Sequence, residues 1–377
     1  MEIAVYGAGA MGTVLGAFLC GAGYAPDLIS RDQAHITALK TAGAKIGGMV
    51  SFSAPPFDGG EGRGGALLPA EISKKYDIVF LLTKQTDNAL TAQTLKNLLS
   101  ADGVVCTLQN GIPEPALAAM LGEDKVLGCI CIWGADKSSP GMAELTSSAA
   151  GMRFVLGGIG GYSRPMLHAV QEILEKVCPV TVKENFIGAR WSKLLINAAF
   201  SGLSAVTGYS FGAIAADRRW GNYALHIIKE CIEVCRAAGI AIEPVQDKFP
   251  ARFLYFKSPL KKFMLSLIMP FAMRNHRAIK SGILRDLERG RPCEIEAING
   301  EVCRTGRKYN VPTPYNDRIV ETVHAIERGK RIFTTEDTEL HGGGRRGITT
   351  ELREVNLNSS SSVKLRVLRG FIFFTAS

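Results

Sequence analysis

The chain predicts an α/β protein, an N-terminal Rossmann-type doubly wound sheet followed by an all-helical C-terminal domain. Three observations carry that reading. Ile3-Ala4-Val5-Tyr6 is a short apolar run that passes into Gly7-Ala8-Gly9-Ala10-Met11-Gly12 and then an apolar helical stretch from Thr13 to about Ala22. Strand-like apolar runs recur from there to about Val182. From Asn185 to about Arg328 the apolar spacing is helical, with no clear strand-type alternation.

The first of these is a GxGxxG fingerprint in its required strand–turn–helix setting. Gly7 allows the tight turn, Gly9 lets backbone N–H groups approach a pyrophosphate, and Gly12 lets the helix pack closely on the strand. The helix N-terminus then faces the anion. A second strand, about Ala25 to Ser30, ends in Ser30-Arg31-Asp32. An acidic residue there suits the ribose hydroxyls of NAD, and a basic one the 2′-phosphate of NADP. Arg31 comes first and favours NADP, while the adjacent Asp32 keeps NAD as the lesser option.

After a Gly- and Pro-rich loop over residues 54 to 66, Asp77 to Leu82 reads as a buried strand followed by Thr83-Lys84. Val104 to Leu108 is another, followed by Gln109-Asn110-Gly111. Ligands of doubly wound sheets gather at the carboxyl ends of the strands, so Lys84 and Asn110 are placed to meet a cofactor. Asn110-Gly111 is equally a common turn pair. Further strands over Lys125 to Gly134, Arg153 to Gly157 and Pro179 to Val182, with a helix from about Arg164 to Lys176, complete a dinucleotide-binding domain of residues 1–183. Residues 184–334 form the helical substrate and catalytic domain. In residues 335–377 the pattern deteriorates into His341-Gly342-Gly343-Gly344-Arg345-Arg346 and a serine run, the composition of an appended, poorly ordered tail.

Residues 191 to 208 predict a helix apolar nearly all round, through Leu194, Leu195, Ile196, Ala198, Ala199, Phe200 and Leu203. Lys193, Asn197 and Ser201 are set into it at steps of four. At about 100° per residue each such step drifts only about 40°, so the three share one stripe. An ammonium on such a surface is costly to bury without a partner. A lysine snorkelling from a helix edge would explain it alone; a cofactor bound by the first domain gives it chemistry to do.

The 377 residues are 21% charged and 46% hydrophobic, a globular balance. Nine scattered cysteines, mostly in apolar runs and with no metal-ligand spacing, predict reduced thiols, no metal and a cytoplasmic setting. Met1 leads directly into a strand rather than a signal peptide, and the run Phe263 to Met273 is too short to span a bilayer, so no membrane association is expected. The net charge of +9 concentrates between Arg252 and Arg291, where ten Lys or Arg face only Asp286 and Glu288. That stretch has no nucleic-acid-binding module, and its aromatics sit with Leu and Met as if packed. A basic rim for an anionic cofactor or substrate is the reading, with no nucleic acid.

In combination these motifs resemble the ketopantoate reductase (2-dehydropantoate 2-reductase) family over roughly residues 1 to 330. The residues that carry the resemblance are Gly7 to Gly12, Thr83-Lys84, Gln109-Asn110-Gly111, Lys193-Leu194-Leu195-Ile196-Asn197, and Ser281 through Glu294-Ile295-Glu296-Ala297-Ile298-Asn299-Gly300. The resemblance implies NADPH-dependent reduction of a 2-oxo acid to a 2-hydroxy acid, producing pantoate for pantothenate and coenzyme A synthesis. By matching position Lys193 is the proton donor, Asn197, Ser201 and Ser281 lie along the substrate, Lys84 and Asn110 contact the cofactor, and Gly134 lines its pocket. Glu294 meets cofactor or substrate and counts with Lys193 as catalytic. A small-molecule partner and an optional homodimer follow. A hydride delivered to a ketone carbon leaves negative charge on oxygen, so a cationic acid there both stabilises that charge and supplies the proton. Burial lowers the ammonium's pKa and Glu294 opposes that shift.

Three departures bear on the substrate. Gly282 stands where the family has a serine, Ser201 where many members have a second asparagine, and Phe211 where a small or polar contact is expected. The alternative is therefore a paralogous NAD(P)-dependent reductase acting on another 2-oxo acid or anionic metabolite.

Overall fold

Strand β1 (Ile3–Tyr6) lies at the centre of the first half of the chain, flanked on both sides by parallel strands. The computed structural model describes residues 1–160, 164–245, 249–329, 353–355, 363–368 and 371–376. They divide into two compact units, Met1–Arg190 and Trp191–Ser377.

In the first unit β1 is followed by α1 (Ala10–Gly21), β2 (Asp27–Ile29), α2 (Gln33–Ala42), β3 (Lys45–Gly48), β4 (Phe52–Ser53) and β5 (Ala66–Leu67). Then come β6 (Tyr76–Leu81), α3 (Asn88–Leu98), β7 (Leu99–Thr107), α4 (Glu114–Leu121) and β8 (Val126–Cys131). The unit continues with β9 (Ala135–Ser139), β10 (Met142–Leu145), β11 (Phe154–Gly158), α5 (Arg164–Glu175) and β12 (Val180–Val182). Eight strands form one sheet in the order β12-β11-β8-β7-β6-β1-β2-β5. All neighbours pair in parallel except β11 with β8. Ile78, Val79, Phe80 and Leu81 of β6 are each fully buried, which is why that strand reads as a continuous apolar run rather than an alternation.

Strands β4, β3, β10 and β9 form a separate four-stranded sheet that periodicity did not anticipate. Its members are short, and β3 ends in Gly47-Gly48 while β9 is Ala-Asp-Lys-Ser-Ser, so neither carries an apolar period. What holds it is contact: Phe52 stacks on Phe18 of α1, with ring centroids 5.8 Å apart.

The second unit is helical, as the spacing predicts. α6 (Phe186–Thr207) spans the boundary and is followed by α7 (Phe211–Ala216), α8 (Arg218–Ala237), α9 (Pro259–Ala272), α10 (Gly282–Glu288), α11 (Ile295–Lys308) and α12 (Pro314–Glu327). Leu194, Leu195, Ala198, Ala199, Phe200 and Leu203 of α6 are all buried in its core. Phe211, at the start of α7, belongs to that core too, its ring 5.5 Å from that of Phe200. All nine cysteines are free and all but Cys20 are buried. Among the described residues no helix is long and apolar enough to cross a membrane.

One expectation fails on α9. The aromatics of the basic segment were expected to pack with Leu and Met, yet Phe263, Leu267 and Phe271 are exposed. The helix is apolar nearly all round, and only the line through Met269 turns inward. Most of the 335–377 segment, read as a poorly ordered tail, lies outside the described residues. Those described there form an antiparallel sheet of β13 (Arg353–Val355), β14 (Val363–Leu368) and β15 (Phe371–Ala376).

Candidate active site

In the first unit the residues singled out by sequence fall at one sheet edge. Gly7 follows β1, Arg31 follows β2, Lys84 follows β6, Asn110 follows β7 and Gly134 follows β8. These five strands are adjacent and mutually parallel, so their carboxyl ends lie side by side. β1 is the point from which the chain winds in both directions, where open α/β sheets bind ligands.

The glycine turn is built as a cradle. Gly7 has φ +103°, and a Cβ there would lie 2.5 Å from the Thr83 nitrogen; one on Gly12 would lie 2.4 Å from the Gly7 carbonyl oxygen. A Cβ on Gly9 would meet nothing within 4 Å, so the turn opens to space at the position nearest the start of α1. Gly7 and Ala8 both give their N–H to the Ile29 carbonyl oxygen, at 2.9 and 2.8 Å, and Ala8 is buried. The Gly9 N–H donates to the Gly7 carbonyl at 2.7 Å, so within the fingerprint Ala10 and Met11 offer the first-turn N–H groups of α1 that have no acceptor within the helix, and Gly9 leaves the approach to them clear. An anionic diphosphate fits that arrangement.

Asp32 is committed elsewhere. Its carboxylate caps α2 by accepting from the His35 N–H at 3.1 Å and pairs with the Lys137 ammonium, and the Lys137 bond holds its pKa below the ordinary carboxylate range. Arg31 is 72% exposed and pairs with Asp87. Both strand-end groups are thus paired within the protein, the carboxylate with the α2 cap and Lys137 and the more exposed guanidinium with Asp87.

Gln109, passed over in the sequence as part of a motif, ties the loops after β6 and β7 together. Its Nε2 donates to the Thr83 carbonyl at 2.8 Å and to Asn88 Oδ1 at 2.6 Å, while its Oε1 accepts from Thr107 Oγ1 at 3.0 Å. The Gln85 amide donates to the Asn110 carbonyl. Gly134 donates to Ser147 Oγ at 2.9 Å, and its carbonyl accepts from the Thr146 N–H at 2.9 Å. Beneath the glycine turn, His35 is fully buried. Its Nδ1 accepts from the Gly141 N–H at 2.9 Å, so the neutral ring carries its proton on Nε2 and donates to Thr13 Oγ1 at 2.9 Å. Thr13 in turn donates to the Gly9 carbonyl at 2.6 Å. Burial is the largest cause pushing the His35 pKa down, to about 4.

In the second unit, the polar stripe of α6 is its half-exposed line. Lys193, Asn197 and Ser201 are intermediate in burial, whereas Leu194, Leu195, Ala198, Ala199, Phe200, Gly202 and Leu203 are buried. Ile196 and Val206 are half-exposed as well, so the step of four selects the three polar donors along an edge that these apolar residues share. Behind them, Asn299 Nδ2 donates to the Ala198 carbonyl at 3.0 Å and to Asn316 Oδ1 at 2.9 Å. Asn316 Nδ2 reaches Glu230 Oε2 at 2.7 Å, and Glu230 also accepts the N–H groups of Tyr315 and Asn316. Glu294 is half-buried at the N-cap of α11. Ser281 is buried; its hydroxyl caps α10 by accepting from the Leu284 N–H at 3.0 Å, and its own N–H donates to Ser204 Oγ at 3.2 Å. A Cβ on Gly282 would meet nothing within 4 Å.

A doubly wound sheet with an open glycine cradle at its switch point, joined to a helical unit carrying a lysine–amide–hydroxyl edge, defines an oxidoreductase that uses a nicotinamide cofactor. Comparison with known proteins narrows this. A family model described as ketopantoate reductase PanE/ApbA matches residues 3–159, and its companion, ketopantoate reductase PanE/ApbA C terminal, matches residues 185–327. The chain belongs to the ketopantoate reductase family. It is 27% identical over 333 residues to the 2-dehydropantoate 2-reductase of Pyrococcus horikoshii, covering 87% of this chain and 98% of that one. A D-mandelate dehydrogenase solved with NADH and anilino(oxo)acetate shares the fold at TM-score 0.72 and 22% identity, covering 87% and 98%. A dimeric ketopantoate reductase from Staphylococcus aureus does so at 0.64 and 16%, covering 87% and 99%.

Proposed function

We propose that the chain is an NADPH-dependent 2-dehydropantoate 2-reductase, reducing ketopantoate to pantoate in the cytoplasm for pantothenate and coenzyme A synthesis. The observation that carries this is the line Lys193, Asn197, Ser201, three polar side chains half-exposed at steps of four on a helix whose other half-exposed residues, Ile187, Ile196 and Val206, are all apolar. Ala10 and Met11 hold the cofactor diphosphate and Gly9 clears the approach to them, with Gly7, Ala8 and Gly12 shaping the turn. Arg31, the more exposed of the two strand-end groups, takes the 2′-phosphate in exchange for its surface pair with Asp87, while Asp32 stays with the α2 cap and Lys137. Lys84, Asn110, Gly134 and Glu294 complete the cofactor contacts. When bound, the reduced nicotinamide supplies the hydride.

The rest is done by side chains of the helical unit. Lys193 stabilises the negative charge that develops on the carbonyl oxygen and gives it a proton. Asn197, Ser201 and Ser281 orient the carboxylate and hydroxyl of the substrate, and Glu294 favours the charged form of the lysine. The family relative that is dimeric supports assembly as a homodimer.

A second reading is a reductase of another 2-oxo acid, favoured by Gly282 in place of the family serine and by the mandelate dehydrogenase neighbour. One experiment separates the two. NADPH and NADH oxidation is followed with ketopantoate, 2-oxoisovalerate and phenylglyoxylate, for the wild type and Lys193→Ala. Turnover highest with NADPH and ketopantoate, lowered about 10²- to 10⁴-fold in Lys193→Ala, supports the first reading. Preference for phenylglyoxylate moves the assignment to the second, and full activity in Lys193→Ala removes both.

A further inference from the structure

Among the described residues of the second unit, the large apolar side chains exposed on helices are concentrated on the solvent face of α9. Leu260, Phe263, Met264, Leu267, Ile268 and Phe271 are each 53–70% exposed. At about 100° per residue they occupy an arc of roughly 140°, an unbroken apolar stripe along the helix. Met269 and Met273, on the opposite side, are buried and anchor the helix to its unit. A surface helix normally points this arc inward; here it points out.

We propose that this face pairs with the same face of a second copy of the chain. The exposed parts of the six side chains amount to roughly 700–800 Å², close to the ~800 Å² that each partner contributes to a stable interface. The composition is that of an interface core, Phe, Met, Leu and Ile with no charge inside the stripe. Cations stand at its margins: residues 252–280 hold seven Lys or Arg and no Asp or Glu, and the Arg274 guanidinium lies 4.6 Å from the centre of the Phe271 ring. A Phe- and Leu-rich stripe beside cations also suits an anionic bilayer, and the match of its area to one side of a stable protein interface is what favours a second copy. A self-complementary apolar helix closes on itself about a two-fold axis, leaving the cations on the rim. The inference rests on the homodimer part of the proposed function and is independent of the substrate.

Sedimentation velocity on the full chain tests it, alongside Phe263→Glu and Leu267→Glu. The wild type is expected at twice 40.6 kDa, and each variant to weaken association at least about tenfold with its turnover kept. Leu267→Cys, at mid-stripe, is expected to form an intermolecular disulfide, because residues near a two-fold axis meet their own copies; every native cysteine but Cys20 is buried. A wild type that stays monomeric at tens of micromolar sinks both the interface and the homodimer. A dimer indifferent to both glutamates sinks the interface and keeps the dimer. A monomer that floats with phosphatidylserine vesicles, and is released by the glutamates, assigns the face to lipid instead.

Discussion

Arg190 and Glu114 form an ion pair in which neither side chain is more than 1% exposed. The guanidinium Nε donates to Glu114 Oε1 at 2.8 Å, Nη1 to the Gln109 carbonyl at 2.8 Å, and Nη2 to the Thr107 carbonyl at 3.1 Å. One side chain near the start of α6 therefore holds the turn that presents Asn110. Burial pushes the Glu114 carboxyl up and the Arg190 charge opposes it. Arg190→Ala strands a buried carboxylate and should destabilise the first unit by about 3–5 kcal/mol. Arg190→Lys should lose most of this too, since one ammonium cannot serve three acceptors in a plane. Urea unfolding of the apo protein measures both; a loss under about 1 kcal/mol for Arg190→Ala would contradict the assignment.

The glycine cradle separates folding from binding. Gly9→Ala places a methyl where nothing lies within 4 Å, so apo stability should be nearly unchanged while NADPH affinity falls about tenfold or more. Gly12→Ala drives a methyl to 2.4 Å from the Gly7 carbonyl oxygen and should lose stability and binding together. Thermal melts without cofactor, paired with fluorescence titration by NADPH, distinguish the two. Gly9→Ala binding NADPH like wild type would mean that the diphosphate sits elsewhere.

The large sheet and the helical half were legible because their physics is local. GxGxxG stands directly between an apolar strand and an apolar helix, Ile78–Leu81 and Val104–Cys106 are apolar runs buried on both faces, and α6 is an apolar stretch broken by polar residues at steps of four. The second sheet was not legible: β3, β4, β9 and β10 are two to five residues long, and Lys45–Gly48 becomes a strand only through pairing with Met142–Leu145. The placement of candidate residues was legible where a residue follows a strand or breaks an apolar stripe, as Arg31, Asn110 and Lys193 do. Glu114, Arg190, His35 and Asn299 were missed because their meaning lies in partners 76, 22 and 101 positions away. A charged Arg190 directly before the apolar stretch that starts at Trp191 was the one available hint.

Two buried titrating groups should give opposite pH signatures. The folded pKa of His35 is depressed to about 4, so the unfolded chain takes up a proton that the folded one refuses. Its contribution is complete above about 6.5 and is lost as pH falls toward 4, by up to roughly 3 kcal/mol. Glu230 is pushed up to about 7, chiefly by burial, so its contribution is complete below the ordinary glutamate range and is lost as pH rises through 7. Stability measured from pH 4 to 8 should therefore fall less steeply on the acid side in His35→Gln and less steeply on the alkaline side in Glu230→Gln. Parallel curves for wild type and His35→Gln would show that the His35 proton is not the linked one.

Asn316 belongs to a network that joins α8, α11 and α12 to α6, the helix that carries the proposed catalytic edge. It accepts from Asn299, whose amide also binds the Ala198 carbonyl next to Asn197, and it donates to Glu230 on α8. Asn316→Ala leaves a buried donor on Asn299 unpaired, a cost of about 1–3 kcal/mol, and removes one of the two bonds to Glu230 Oε2, which keeps the backbone N–H at that position. Below its melting temperature the variant should bind NADPH normally, because the cradle lies in the other unit, while kcat with the 2-oxo acid falls as Lys193 and Asn197 lose their backing. Steady-state kinetics beside an NADPH titration reads this split. An equal loss of NADPH affinity would show the effect to be general unfolding, and unchanged kcat would show that α6 holds its line without the network.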